Sequence, residues 1–563
     1  MSYDLLIRNG TVVDGSGMAR YRADVAVKHG RIAAVGRLNG VLADETIDAE
    51  GKVVTPGFVD GHTHMDAQIF WDPIGSCSCY HGVTTAVMGN CGFTLAPCRE
   101  EQADLVFRNL ERAEDLNREA MKAGIRWQWE SFPEYLDAVD RLPKGINYAG
   151  YVGHSALRTH VMGERAFSEV ANNDDLSAIT RHVQAALRAG AIGVSTTRSR
   201  THETSDNRPV ASRVADWREI EAIVGAMAEL NAGIFQIAPQ RDLGPDYSVP
   251  LKQLAVESGR PVTMGLTVSL GSPTEWEVQL ARMEEAAREG GRMFAQVHSR
   301  EISILLSFET ALPFDHWDGW RDLRALPLEG QKAALRNPET RTRLVDIASR
   351  PYDGPAVYGA AGRPPDWDWI FPVYQPLARE RSLTEMARER GVAPVEVLID
   401  EALTHDFKLF FRDVAVNGDQ EEVLKMMRHP RAVVTFSDSG AHVSQIMDSS
   451  MQTYLLSYWV RERQAFTLEE AIRKITYETA THWGFADRGL IREGMAADLV
   501  IFDPDTVGPQ MPEVRRDLPS GATRLYQNAS GIDATVVNGQ VLLRAGEPTG
   551  NLPGRLLRAG VPA

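Results

Sequence analysis

Four short apolar runs stand near the start of the chain, 4–8, 11–14, 24–28 and 31–35, flanked by polar residues and broken by Asn9-Gly10, Gly15-Ser16-Gly17 and His29-Gly30. Short apolar runs between turn-forming clusters predict the strands of a small antiparallel sheet. The texture returns at 498–502, 534–537 and 540–543, where Asn538-Gly539 fits a tight hairpin turn. Both chain ends are expected to build one satellite sheet domain, residues 1–55 together with 485–563.

Between them the pattern changes. Eight apolar, β-rich segments stand at 53–61, 83–88, 146–152, 192–196, 233–238, 261–268, 293–297 and 432–436. Amphipathic stretches separate several of them, for example 174–189, 216–230 and 276–288, and another follows the last strand at 467–480. This alternation predicts an α/β fold with a parallel sheet, and eight strands in this order favour a closed (β/α)8 TIM barrel over residues 56–484. No G-x-G-x-x-G or G-x-x-x-x-G-K-[ST] follows a strand, so nucleotide binding has no support. The spacer at about 299–431 is far longer than a normal βα unit and carries Trp317, Trp320, Trp367 and Trp369. It is expected to be a helical insertion over the barrel mouth.

The 563 residues are 43% hydrophobic and 24% charged, the balance of a globular protein with a sizeable core. The net charge is −16, and the basic residues are scattered rather than striped, which argues against a nucleic-acid partner. The chain opens Met1-Ser-Tyr-Asp-Leu-Leu-Ile-Arg8, without a basic segment leading into an apolar one, and no apolar run approaches about 18 residues. A cytoplasmic protein with no membrane partner is expected; a homo-oligomer stays open. Cys77, Cys79, Cys91 and Cys98 fit neither a structural-zinc spacing nor a disulfide framework, and all but Cys91 read as reduced, buried thiols.

A barrel builds its active site at the C-terminal ends of its strands. The polar residues there are His62 and His64, Cys91, His154, Arg198, Gln236 and Gln240, Thr267 and Ser269, His298 and, last, Asp438. His62-Thr63-His64 is the sharpest feature, because a period of two puts both imidazoles on one face of an extended strand, able to grip one ion. Asp66 reads either as a carboxylate orienting a ligand imidazole or as a loop cap. Asp438 can bind metal and also take a proton from water and pass it to a leaving nitrogen.

Three runs carry a family resemblance: Thr55-Pro-Gly-Phe-Val-Asp-Gly-His62-Thr-His64-Met-Asp66, Gly82-Val-Thr-Thr-Ala-Val-Met-Gly-Asn-Cys91-Gly-Phe-Thr-Leu-Ala-Pro97, and Gly153-His154-Ser-Ala-Leu-Arg158. With Gly489-Leu-Ile-Arg-Glu-Gly-Met-Ala-Ala-Asp498 in the tail, the chain resembles the N-acyl-D-amino-acid deacylase branch of the amidohydrolase superfamily. The resemblance implies a barrel plus β-sandwich, a zinc-type metal, His62 and His64 as ligands, Cys91 as a thiolate ligand, and Asp438 as catalytic acid and base. It also places His154 and Arg158 near the substrate.

The middle departs from that pattern: strands five and six end without His, and strand four ends Val194-Ser-Thr-Thr-Arg198 without Lys. One Zn2+ per chain on His62, His64, Asp438 and Cys91 is the preferred expectation, with two as the alternative. His202 and His298 are expected as replacement ligands or substrate contacts, and Arg198 as a substrate contact. The expected reaction is hydrolysis of a linear C–N amide bond in a small molecule, an N-acyl (D-)amino acid or related N-acyl compound. The alternatives are a cyclic amide, imide or lactone hydrolase, and a non-catalytic binding barrel.

Overall fold

A computed structural model describes residues 2–239, 244–350, 364–377, 379 and 381–560. Both chain ends meet in one nine-stranded sheet. Tyr3–Val12 pairs in parallel with Val53–Pro56, which in turn pairs antiparallel with Leu499–Phe502 from the far end of the chain. Asn538 and Gly539 take positive φ values of 46° and 81° between the paired residues Val537 and Gln540, so the Asn-Gly turn forms where the sequence places it.

The parallel strands form two runs. Phe58–Asp60, Val83–Met88 and Asn147–Gly150 make a three-stranded sheet, and Val152–Gly153, Gly193–Thr196, Ile234–Ile237, Val262–Leu266, Met293–Val297 and Ala432–Val434 make a six-stranded one. Every residue of these strands is buried, which is why they read as near-continuous apolar runs. Only Tyr151 separates the third strand of the first run from the first strand of the second. The first and last parallel strands meet just beyond their ends: Thr63 and Ser439 form a parallel bridge, and the His64 N–H donates to the Ser439 carbonyl at 2.7 Å.

Residues 299–431 hold helices such as Leu328–Arg336, Pro338–Ala348 and Pro394–Thr404, but also an antiparallel sheet of Ile302–Leu306, Phe411–Val416 and Ile370–Pro372. The segment is thus mixed rather than wholly helical. It packs its own apolar cluster around Trp320, Phe314 and the stacked rings of Phe308 and Phe407, 4.0 Å apart. The four cysteines are all buried and unpaired. Among the described residues no helix is long and apolar enough to cross a membrane.

Candidate active site

The segment that leaves Phe58–Asp60 carries His62 and His64, both buried. A neutral imidazole has one N–H, and Gln296, in strand Met293–Val297, accepts it: His62 Nδ1 donates to Gln296 Oε1. Nε2 of His62 is left as a lone-pair donor, 3.4 Å from Cys91 Sγ and 3.0 Å from Asp438 Oδ1. Asp438 Oδ1 also lies 3.5 Å from His64 Nε2. Ligand atoms of His62, His64 and Cys91 all fall within 4.8 Å of one another, the one such group of potential metal donors among the described residues. Two imidazoles, a thiol and a carboxylate are the donors a zinc-type cation takes, so the residues fit a metal.

Cys91, Asp438 and His442 each adopt positive φ, at 56°, 51° and 51°. Non-glycine residues hold that conformation only where the surroundings fix it, and such residues cluster at functional sites. Here Gln236 in strand Ile234–Ile237 fixes Cys91, its Oε1 accepting the Cys91 N–H at 2.8 Å.

The electrostatics follow burial. Burial lowers the His64 pKa to about 4, which keeps the imidazole neutral and able to ligate. Burial, with the charges of Glu114 and Asp438, pushes the Cys91 thiol well up, so a thiolate there needs a cation beside it. Burial would also raise Asp438, but the imidazoles of His62 and His64 outweigh it and hold the carboxyl far below its usual range.

His64, Cys91 and Asp438 line a cavity of about 450 Å3. Polar groups on its wall are Glu114, Ser199, Thr201, His202, Thr267, Ser269 and His442; Ile302, Ala415 and Val416 of the 299–431 segment, with Phe436 and Ile446, make an apolar side. His202 Nδ1 and Thr267 Oγ1 are buried without hydrogen-bond partners. Burial lowers the His202 pKa to about 3, so it meets the cavity as neutral imidazole.

The structure places the other sequence candidates apart from this cavity wall. His154 and Arg158 are buried against Glu219: His154 Nε2 lies 2.7 Å from Glu219 Oε1, Arg158 Nη1 pairs with Oε2, and Arg158 Nη2 donates to the Glu169 carbonyl at 2.7 Å. His154 Nδ1 lies 2.9 Å from Thr196 Oγ1, so both side chains are engaged by buried neighbours rather than by the cavity. Arg198 donates to the Ala215 carbonyl at 2.8 Å. His298 is buried and does not line the cavity, its Nδ1 3.1 Å from the Arg300 backbone and its Nε2 4.0 Å from Asp448. Asp66 accepts the Gly89 N–H at 2.8 Å, the loop-fixing role of its two expectations. Gln240 lies outside the described residues.

Three groups at the site escaped the sequence reading: Glu114, His442 and Gln296. Glu114 is the C-cap of helix Ala103–Ala113, 3% exposed, with its carboxylate 3.6 Å from both His64 Nε2 and His442 Nε2. Burial, then the negative charges of Asp438 and Asp66, raises its pKa well above the usual value.

Comparison with known proteins agrees with this geometry. The profile of the amidohydrolase family matches residues 45–543. The D-aminoacylase of Alcaligenes xylosoxydans xylosoxydans is 28% identical over 566 residues, spanning 99% of this chain and 97% of that protein. A D-aminoacylase structure with a binuclear metal centre superposes with a TM-score of 0.65 at 25% identity, covering 99% of this chain and all of that one. The N-acyl-D-glutamate deacylase of Bordetella bronchiseptica, solved with zinc and a phosphonate mimic of the tetrahedral intermediate, superposes at 0.67 with 24% identity over 99% of this chain and all of that one. With the profile spanning most of its length and its metal-donor cluster in place, this chain belongs to the amidohydrolase family, in its D-aminoacylase branch.

Proposed function

We propose that the protein is a metal-dependent hydrolase of a linear amide bond, acting on N-acyl amino acids of D configuration or related N-acyl compounds. The observation that carries this reading is the convergence of His62, His64, Cys91 and Asp438, the last three of them lining a cavity large enough for a small acylated substrate. A zinc-type cation on these donors supplies Lewis-acid polarisation of the scissile carbonyl and a lower pKa for water.

The chain's own groups do the rest. Asp438, whose carboxylate lines the cavity beside His62 and His64, accepts a proton from the attacking water and delivers it to the leaving nitrogen. The C–O bond forms, the C–N bond breaks, and the products are a carboxylic acid and an amine. His202 and Thr267 offer unpaired polar atoms to orient the substrate, and the apolar side receives an apolar acyl group. The two parallel runs are best read as one closed (β/α)8 barrel over residues 56–484, supported by the continuity around Tyr151 and the Thr63–Ser439 bridge. The terminal sheet is then a sandwich-type satellite domain.

The test is product analysis on a panel of N-acyl-D- and N-acyl-L-amino acids with zinc-loaded wild type and Asp438→Asn. Wild type is expected to release acid and amine from the D series, and Asp438→Asn to lose about 100- to 10,000-fold in kcat. A single ring-opened product from cyclic amides, or no hydrolysis by metal-loaded wild type, overturns the proposal.

A further inference from the structure

The N–H groups of Cys91 and Gly92 are caught by two side chains from neighbouring strands. Gln236 Oε1 accepts from Cys91 at 2.8 Å, and Ser195 Oγ accepts from Gly92 at 2.9 Å. Ser195 and Gln236 are themselves register partners in strands Gly193–Thr196 and Ile234–Ile237. The turn has further anchors: Asn90 Nδ2 donates to the Thr63 carbonyl at 3.1 Å and to the Val87 carbonyl at 3.0 Å, and Asp66 accepts the Gly89 N–H at 2.8 Å. The backbone around Cys91 is therefore held at several points, and Gln236 shares that task with others.

The other end of Gln236 has no such task. A backbone N–H meets only the oxygen of an amide, so the contact with Cys91 settles which end of the side chain is Nε2. That nitrogen is fully buried and has no hydrogen-bond partner. A donor left so in a protein interior is costly and calls for an explanation. Because Oε1 is bound to the Cys91 backbone, Nε2 stands over the same residue, and contact between the Gln236 amide and the Cys91 side chain favours the thiolate. A thiol is a weak acceptor, whereas an ionised group makes the stronger hydrogen bond. Gln236 is thus arranged for Cys91 as it stands with a cation beside it.

We propose that Gln236 positions and tunes the metal-binding thiolate, Oε1 setting the Cys91 backbone while Nε2 donates an N–H to the sulfur. This rests on the metal-dependent reading above, with Cys91 as a ligand. Hydrogen bonds to a metal-bound sulfur draw electron density away from it, the same lever that sets potentials in iron–sulfur and copper–cysteine sites. The ion then keeps more positive charge for a carbonyl oxygen than an unassisted thiolate would leave it.

The experiment is cobalt(II) titration of the metal-free full chain, read by the near-ultraviolet sulfur-to-cobalt charge-transfer band, in wild type, Gln236→Met and Ser195→Ala. Gln236→Met keeps the length of the side chain and removes both contacts. Its band is expected at longer wavelength, because an unassisted thiolate gives up an electron more easily, and chelator competition is expected to show zinc weakened about 10- to 100-fold. Ser195→Ala loosens the same turn from the Gly92 side, so its band is expected at the wild-type wavelength. A band left in place by Gln236→Met, or moved equally by Ser195→Ala, overturns the proposal. If Gln236→Met does not fold, Gln236→Glu decides: it keeps an acceptor for the Cys91 N–H and brings no N–H to the sulfur, so the same shift is expected and an unmoved band overturns the donor role. Wild type that binds no cobalt overturns the metal-dependent reading itself, whereas cobalt bound without a charge-transfer band overturns the role of Gln236 alone.

Discussion

Gln296 shows how much one neutral side chain controls. It is fully buried and is the acceptor on His62 Nδ1. With Leu there, the His62 proton is free to move to Nε2, and the ring loses the contact that sets its angle. Gln296→Leu is expected to weaken zinc about 10- to 100-fold, as loss of such supporting partners does, while the protein stays folded. Chelator competition measures it, and an unchanged affinity would show that Cys91 and Asp438 orient His62 without help. Residues of this kind were hidden for a physical reason. His62 and His64 are legible because the period of a strand puts neighbours two apart on one face, and Asp438 because it ends a run of apolar residues. Glu114 stands in Arg112-Ala-Glu-Asp115, which reads as an ordinary charged helix end, and only tertiary packing brings it under His64. A signal for Gln296 did exist: like Gln236, which the strand-end reading does include, it is the one amide in an otherwise apolar strand, Met293–Val297 as against Ile234–Ile237.

At the scale of elements, strand ends supply chemistry and the 299–431 segment supplies shape. The repeating strand pattern made the parallel strands readable within a few residues. The long spacer has no repeating period, so the antiparallel strands within it were not separable from its helices. Those strands matter, because Ile302 begins one and Ala415 and Val416 end another, and together they form the apolar side of the cavity. Likewise His154 and Arg158 begin a helix after a strand, where a substrate contact is plausible from sequence, and it takes the fold to bring Glu219 from a separate helix against them. If the apolar side receives the acyl group, Ala415→Leu fills part of it. The kcat/KM for the longest acyl chains is then expected to fall at least about tenfold, a change of roughly 1.4 kcal/mol, against little change for acetyl substrates. An equal fall for all chain lengths would place the acyl group elsewhere.

Across the whole molecule, the sheet built from the chain ends and the parallel strands are joined by a buried polar knot. Asp498 precedes Leu499–Phe502, and its carboxylate pairs with Arg488 while accepting from the Asn538 N–H at 2.7 Å and from Asn147 Nδ2 at 3.0 Å. Asn147 begins the third parallel strand, and Asn538 sits in the terminal hairpin. One side chain therefore ties three distant parts of the chain. Removing it leaves Arg488, 5% exposed, with only Asp487 at 3.2 Å, strips the Asn538 N–H of its side-chain acceptor and leaves Asn147 Nδ2 with the Thr84 carbonyl at 3.1 Å. Breaking a buried pair from one side costs about 3–5 kcal/mol, and the surviving Asp487 contact puts Asp498→Ala at the lower end, about 3 kcal/mol. Urea unfolding is expected to show that loss as a shift in midpoint at constant m-value, because the knot joins parts that unfold together. The folded fraction should keep its zinc, since none of these groups lies among the metal donors. A loss below about 1 kcal/mol would mean that the sheet and the parallel strands are held by apolar packing alone. A lowered m-value with two transitions would mean instead that the terminal sheet unfolds as a unit of its own.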